Sequence, residues 1–369
     1  MGRGSRAARR EADLVRRCYA GLDGAAFQAG AVRAIHALLP VDAVFFATAD
    51  PVTLLFTGAA ADDPLAAATA QFLDNEFGHH DVNKFQSLAA GAQHVATLDA
   101  ATRGQRAASA RYREIMSPLG LGDELRAALV TPAGCWGYLC LPRADSPHGF
   151  TPAEVRLIGR LAPHLGNGCR HSLTVPPRDP SGMTATAPGV VVLHPDLTVA
   201  AITGEAERWL AHMADRRPGP GHLPVAVYAV AARLKSIDSG TAQPDAAPTV
   251  RVPSTTGGWL VLHASHLNGS AGGDIAVIIE PAHPGIAAPL LLSSQGLTPR
   301  EREVALLVLR GASTQAIAAQ LHLSAYTVKD HLKSIFDKTG VRSRRDLVAH
   351  VLAGQRGAPT PPTAPGVPR

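Results

Sequence analysis

The sequence predicts a multidomain chain in which two α+β units precede an all-α unit of four helices. Its 369 residues exceed the usual size of one domain. Proline-rich joints at 174–189 and 285–296 interrupt it, and only helix patterns follow the second joint. The predicted units are therefore 1–173, 190–284 and 297–355, with a disordered tail over 356–369.

Composition favours a globular protein over a membrane-spanning or exported one. Hydrophobic residues make up 46% of the chain and charged residues 18%, which is ordinary for a globular protein. The longest apolar run, 223–234, is too short to span a bilayer, and no apolar export signal follows the basic N-terminus. We therefore expect a cytoplasmic protein that does not contact membranes.

The net charge of +5 is concentrated at one end. Residues 297–356 contain ten basic and five acidic side chains, so the rest of the chain is neutral. A short basic segment favours a surface that faces phosphates, although charge alone is often only a solvated face.

The first unit is predicted to contain two hairpins between helices. Amphipathic and alternating patterns predict helices over 7–22 and 25–39 and hairpins over 41–58 and 124–143. Thr151, Pro152 and Glu154 form a capping box that starts a closing helix, which runs to Leu173. Cys135 and Cys140 lie five residues apart, which places them on opposite strand faces as small packed residues, with a redox role as the alternative.

The second unit has a different order of elements. We expect a hairpin over 189–203, helices over 205–213 and 223–236, and then three strands at 249–254, 258–267 and 274–282. Strands, helices and a final antiparallel run are typical of an α+β domain.

Both units resemble sensory domains. The runs ARYREIMSPLGLGDELRAAL and GFTPAEVRLIGRLAPHL are similar to GAF-like domains of actinobacterial regulators, and the second unit resembles a PAS domain. The resemblance implies that a small molecule or a protein signal controls the chain. The residues that we consider for a pocket in the GAF-like unit, with core packing as the alternative, are His80, Phe85, Tyr112, Met116 and Trp136.

Helix-capping residues divide the last unit into four predicted helices. Thr298, Pro299 and Glu301 start the first, and Ser313 starts the second. In the third helix Val328, Leu332 and Ile335 recur at core spacing. The opposite face therefore presents Tyr326, Lys329, Asp330 and Lys333, on an element that fits the major groove of DNA.

The segments LTPREREV, LHLSAYTVKDHL and KTGVRSR resemble the LuxR-type helix-turn-helix family over the whole unit. The resemblance implies a transcriptional regulator that binds double-stranded DNA. By that resemblance Lys329, Asp330 and Lys333 take the base-facing positions. The same resemblance places Ser324, Thr327, Thr314 and Gln315 near phosphates, and Tyr326 and Arg344 are further candidate DNA contacts.

Two departures from the family pattern affect these contacts. Thr314-Gln315-Ala316 stands where the family usually has Asn-Lys-Glu, so the second helix lacks a capping acid and a lysine. Asp330 replaces a common apolar residue. It either accepts a hydrogen bond from a cytosine amino group or pairs with Lys333.

Other functions are weaker alternatives. The sequence lacks GxxxxGK[ST], HExxH and GxSxG motifs, so we expect no enzyme, metal site or cofactor, and an unrecognised activity is the alternative. A sigma-like helix-turn-helix that contacts RNA polymerase is another. Because one recognition helix reads few base pairs, we expect a homodimer, formed through the helices over 7–22 and 151–173.

Overall fold

The computed structural model describes residues 3–146, 148–173, 187–213, 223–242, 247–268 and 273–353. The predicted linker at 174–189 lies outside these ranges up to residue 186, and the predicted tail at 356–369 lies wholly outside them.

The first unit is a five-stranded antiparallel sheet with helices on both faces. The strands are β1 (Phe45–Ala49), β2 (Phe56–Ala61), β3 (Val95–Thr97), β4 (Leu121–Thr131) and β5 (Gly134–Ala144), in the order β2-β1-β5-β4-β3. The helices are α1 (Arg3–Cys18), α2 (Gly24–Leu38), α3 (Thr69–Gly78), α4 (Phe85–Ala90), α5 (Leu98–Thr102) and α6 (Pro152–Ser172). Both predicted hairpins and the Thr151–Glu154 capping box are confirmed.

A β-bulge corrects the prediction for the two strand cysteines. Between Tyr138 and Cys135 strand β5 advances three residues while its partner β4 advances two. The extra residue shifts the alternation of side chains, because a bulge inserts one residue into one strand only. Cys135 and Cys140 therefore lie on the same face of the sheet, both buried, and not on opposite faces.

The second unit repeats the strand order of the first. Its elements are β6 (Gly189–Leu193), β7 (Val199–Ile202), α7 (Gly204–Ala211), α8 (Val225–Asp238), β8 (Thr249–Pro253), β9 (Trp259–His266) and β10 (Ile275–Pro281). The antiparallel order is β7-β6-β10-β9-β8. The predicted α+β sequence of elements is confirmed for this unit.

Helix α8 joins the two units into one continuous core. It contacts α3 and β2 of the first unit and β8, β9 and β10 of the second. Eleven of its fourteen residues are buried, since a helix that is apolar on all sides must be covered on all sides. The same run, 223–234, is the longest apolar stretch of the sequence. Its burial between the two sheets could not be predicted from its length alone.

The second joint is a helix, which corrects the predicted linker at 285–296. Helix α9 (Pro284–Ser294) has two buried faces: Ala288 and Leu292 pack in the core of the last unit, and Leu290 packs in the core of the first. The sequence pattern missed it because two prolines suggested a break, although the predicted docking role of the apolar stretch 286–292 agrees with this packing. The last unit therefore rests on the other two through α9.

A buried ion pair connects all three parts of the chain. Asp50, which follows β1, is fully buried, and its carboxylate accepts from Arg251 Nε of β8 at 2.7 Å. Arg251 Nη1 also donates to the carbonyl oxygen of Ile286 in α9, at 3.2 Å. One guanidinium thus links the first unit, the second unit and the helix that carries the last unit.

A second buried network lies between the first sheet and helices α3 and α4. Arg126 donates to Glu76 at 2.6 Å and to Glu124 at 2.9 Å, and Arg111 donates to Glu124 at 2.7 Å between Nη2 and Oε2. Burial alone would raise the pKa of Glu124, but the charges of Arg111 and Arg126 outweigh it and lower this pKa to about 2. The carboxylate is therefore ionised in the core.

Candidate DNA-binding site

The last unit places one helix with an exposed polar face at the surface. Its helices are α10 (Pro299–Leu309), α11 (Thr314–Leu321), α12 (Ala325–Thr339) and α13 (Arg344–Ala353). In α12, Val328, Leu332 and Ile335 are buried as predicted. Tyr326, Lys329, Asp330 and Lys333 are exposed, and Tyr326 shows 74% of its surface. The predicted division of α12 into a core face and a solvent face is therefore confirmed.

The turn between α11 and α12 sets the orientation of α12 relative to α11. His322 ends α11 in the left-handed conformation, with φ 53°. Ser324 Oγ then accepts from the amide of Thr327 at 3.0 Å, which caps α12, and it lies 2.9 Å from Thr327 Oγ1. Both hydroxyls therefore already hold the start of the helix together, and their predicted phosphate contacts remain predictions.

Two residues predicted to bind DNA contact each other. Arg344 Nη2 donates to Thr314 Oγ1 at 2.8 Å, and Arg344 Nη1 donates to the carbonyl oxygen of Ala312 at 2.7 Å. This pair ties the start of α13 to the start of α11. Ser313 caps α11 as predicted, by accepting from Ala316, and Gln315 is exposed beside it.

The structure bears on the two alternatives for Asp330. Among the described residues, no ion pair within 4.0 Å joins Asp330 to Lys333, although the two side chains lie three positions apart on one helix. Both side chains are exposed. The carboxylate and the ammonium group therefore both face solvent, and the contact of Asp330 with a cytosine remains a prediction.

A cluster that the sequence did not predict holds α12 against α10. Glu301 completes the predicted capping box with Thr298, and it also accepts from Lys338 Nζ at 2.7 Å and from Ser334 Oγ at 2.6 Å. Ser334 and Lys338 lie four residues apart in α12, a spacing that puts both on one side of the helix. Their common acceptor, more than 30 positions earlier, left no local signal.

Replacing Glu301 by Gln is expected to destabilise the last unit in a pH-dependent way. Burial raises the pKa of Glu301, but the hydrogen bonds from Lys338 and Ser334 outweigh it and lower this pKa from 4.5 to about 2. Because Lys338 is partly exposed and solvent screens the pair, such a shift contributes on the order of 1–3 kcal/mol at neutral pH. Because the folded pKa is depressed, the contribution is complete above pH 4.5 and is lost as the pH falls towards 2.

Hydrogen exchange followed by mass spectrometry measures this effect in the full chain. Between pH 6 and 3, the difference in opening free energy between wild type and E301Q should shrink for peptides that cover α10 and α12. Glu303→Gln is the matched control, because Glu303 forms an exposed pair with Arg300 on the same helix. A difference that stays constant with pH would contradict the assignment.

The five residues considered for a pocket in the first unit do not come together. Phe85 and Met116 are buried on the sheet face that α3 and α4 cover, whereas Trp136 is buried on the opposite face with α1, α2 and α6. His80 is exposed and Tyr112 is partly buried. The bulge in β5 fixes this separation, since it sets the face to which Trp136 points. Ligand binding by any of the five remains a prediction.

The described ranges bear on two other kinds of site, a membrane span and a metal centre. No helix there combines the length and the apolar character that crossing a membrane requires. Nor do three or more His, Cys, Asp or Glu side chains in those ranges cluster in a way that would hold a metal ion.

Residues 295–351 match the family model described as bacterial regulatory proteins, luxR family. Over 68 residues the chain is 38% identical to the HTH-type transcriptional regulator MalT of Klebsiella pneumoniae subsp. pneumoniae. This match covers 18% of the chain and 7% of MalT, so the chain spans only a small part of the length of this curated relative. Helices α10–α13 are therefore a LuxR-type helix-turn-helix domain.

Solved structures resemble the chain only distantly. Escherichia coli SdiA is 13% identical, with a TM-score of 0.34 over 95% of this chain and 97% of SdiA. VqmA of Vibrio cholera, in a complex with ligand and DNA, is 17% identical, with a TM-score of 0.23 over 46% of this chain and 84% of VqmA. Scores this low support no conclusion about the first two units.

Proposed function

We propose that the chain is a sequence-specific DNA-binding transcriptional regulator, and that signals received by its first two units control its LuxR-type domain. The observation that carries this proposal is the exposed face of α12, with Tyr326, Lys329, Asp330 and Lys333 projecting from a helix whose other face is core. An α-helix fits the major groove, where cationic and carboxylate side chains can bond to base edges.

The finer parts of the proposal concern the signal and the assembly. We propose that the first unit is GAF-like and the second PAS-like, that neither catalyses a reaction, and that the protein works in the cytoplasm. The buried link from Asp50 through Arg251 to the backbone of Ile286 supports a route from both units to the DNA-binding domain. A change at the junction of the two units would alter how α9 holds that domain.

We also propose that the regulator is a homodimer through the outer faces of α1 and α6. Within one chain these helices contact each other, with Arg160 donating to Glu11 at 3.1 Å. Directly after α1, Tyr19 Oη lies 2.9 Å from His164 Nδ1 of α6. They therefore form one rigid surface. Two copies would place two recognition helices on paired half-sites, about one turn of DNA apart.

Replacing Lys333 by Ala tests the role assigned to α12. If Lys333 bonds to a guanine, the affinity of the full chain for its selected duplex falls by about 1–3 kcal/mol, and the preference at one base position relaxes. If Lys333 contacts a phosphate, binding to all sequences weakens alike and the salt dependence decreases. Fluorescence anisotropy with duplexes of varied sequence, at two salt concentrations, separates the two results.

Arg310→Ala is the matched control for this experiment. Arg310 is an exposed cation at the end of α10 and not on the face of α12, so its loss changes the net charge equally. We expect the control to keep the sequence preference. Identical DNA binding by K333A and wild type would reject α12 as the recognition helix, and a helix-turn-helix that contacts only protein would bind no duplex at all.

A further inference from the structure

A cavity of about 440 Å³ opens between the first and second units. On the side of the first unit, its wall includes Ala59 and Ala61 of β2 and Ala70 of α3. On the side of the second unit, it includes Leu197, which lies between β6 and β7, and Tyr228 of α8. None of the five residues predicted to line a pocket in the first unit belongs to its wall.

The small size of the alanine side chains creates this space. The volume falls in the range of pockets for small ligands, roughly 300–1,000 Å³. A larger side chain at one of these alanines would reduce the space.

Leu197 adds a second observation. It has a φ of 66°, a left-handed conformation that bulky side chains rarely adopt, and yet its side chain is 2% exposed. The turn is held by the amide of Leu197, which donates to the carbonyl oxygen of His194, and by the amide of His194, which donates to that of Thr198. Such conformations are found mainly where the surroundings impose them, and they are common at ligand sites.

The polar groups of the wall indicate which chemistry would fit. Asp196 and Thr198 are exposed at the mouth, and the hydroxyl and amide of Thr198 donate to Asp196 and lower the pKa of its carboxyl. Asp196 is therefore a carboxylate that accepts hydrogen bonds. Burial raises the pKa of Tyr228, so its hydroxyl stays neutral. The interior is otherwise formed mainly by alkyl and aromatic groups.

We propose that this cavity is a ligand site for a compact, mostly apolar molecule whose polar end donates a hydrogen bond to Asp196. The inference rests on the proposed function, because it locates the signal of the regulator at the junction of its two sensory units. A molecule bound there contacts α3 and α8 at once. The units that Asp50 and Arg251 tie together would thus share one ligand.

N-phenyl-1-naphthylamine is a suitable probe, since it is apolar, carries one N–H donor and fluoresces strongly only out of water. We expect saturable binding to the full chain at one site. Ala70→Leu should weaken it by about tenfold or more, a change of about 1.4 kcal/mol or more. Ala89→Leu, at a partly buried alanine of α4 outside the cavity, should change it less than about twofold. Asp196→Ala should weaken it several-fold.

If Ala70→Leu does not fold, a second measurement tests the ligand site. The four native cysteines are buried and burial raises the pKa of each thiol, so a cysteine placed by Thr69→Cys at the cavity wall would be alkylated selectively. Saturating probe should slow its reaction with N-ethylmaleimide, measured on the intact protein by mass spectrometry.

The results of these experiments distinguish failure of the ligand site from failure of the proposed function. Absence of saturable binding, equal affinity in folded Ala70→Leu, or an unprotected Cys at position 69 would overturn the site while leaving DNA binding intact. Probe binding that these variants abolish, in a chain that binds no DNA, would support the site and reject the regulator.

Discussion

Arg251→Met is expected to lower the free energy of unfolding by about 3–5 kcal/mol, because it leaves the carboxylate of Asp50 buried without its cation. Asp50 is fully buried, and its partner comes from a strand 201 positions later. The variant also loses the bond to the carbonyl oxygen of Ile286. Denaturant unfolding followed by the fluorescence of Trp136, Trp209 and Trp259 reports on both units.

Lys235→Met is the matched control for the Arg251 variant. Lys235 pairs with Asp74 across the same two units at 2.7 Å, but about a third of each side chain is exposed. Exposed pairs contribute about 1 kcal/mol or less, so this loss should be small. The double variant Asp50→Asn/Arg251→Met should regain much of the stability, since it buries no charge. Equal costs for R251M and K235M would contradict the role assigned to the buried pair.

Arg126→Met is the second variant with a large expected effect, again about 3–5 kcal/mol, which corresponds to a fall in Tm on the order of 10 °C. Its guanidinium lies 4.4 Å from the centre of the Phe85 ring and donates to Glu76 and Glu124, all in the core. Without it, Glu76 is buried with no guanidinium partner, whereas Glu124 keeps only Arg111. Thermal unfolding of the full chain measures the change.

Arg208→Met provides the comparison for the Arg126 variant. The pair between Arg208 and Glu205 is exposed on α7, and its loss should cost no more than about 1 kcal/mol. Adding Glu76→Gln to Arg126→Met should restore part of the loss. If Glu76→Gln instead deepened the loss, the network would not be held by charge pairing.

Sequence patterns predicted the features that depend on neighbours along the chain. The capping boxes at Thr151 and Thr298 and the core stripe of α12 follow from spacings of three and four residues, and the structure has them. Exposure of Lys329 and Lys333 follows from the same stripe. The face that the DNA-binding proposal needs could thus be predicted locally.

Features that depend on distant partners could not be predicted. The bond between Arg344 and Thr314 joins residues 30 positions apart, and the contact between Lys338 and Glu301 joins residues 37 apart. The bulge in β5 changes which face Trp136 occupies without any change in the local pattern. The interdomain cavity arises where alanines of the first unit meet α8 of the second. It could therefore not be predicted from any single segment of the sequence.

Selection of duplexes from a random pool by the full-length protein tests DNA recognition most directly. We expect the wild type to enrich one sequence motif, arranged as two half-sites about one helical turn apart, and the K333A variant to enrich a motif with one position relaxed. Selection by the wild type that enriches no sequence would contradict the proposal that this chain is a sequence-specific regulator.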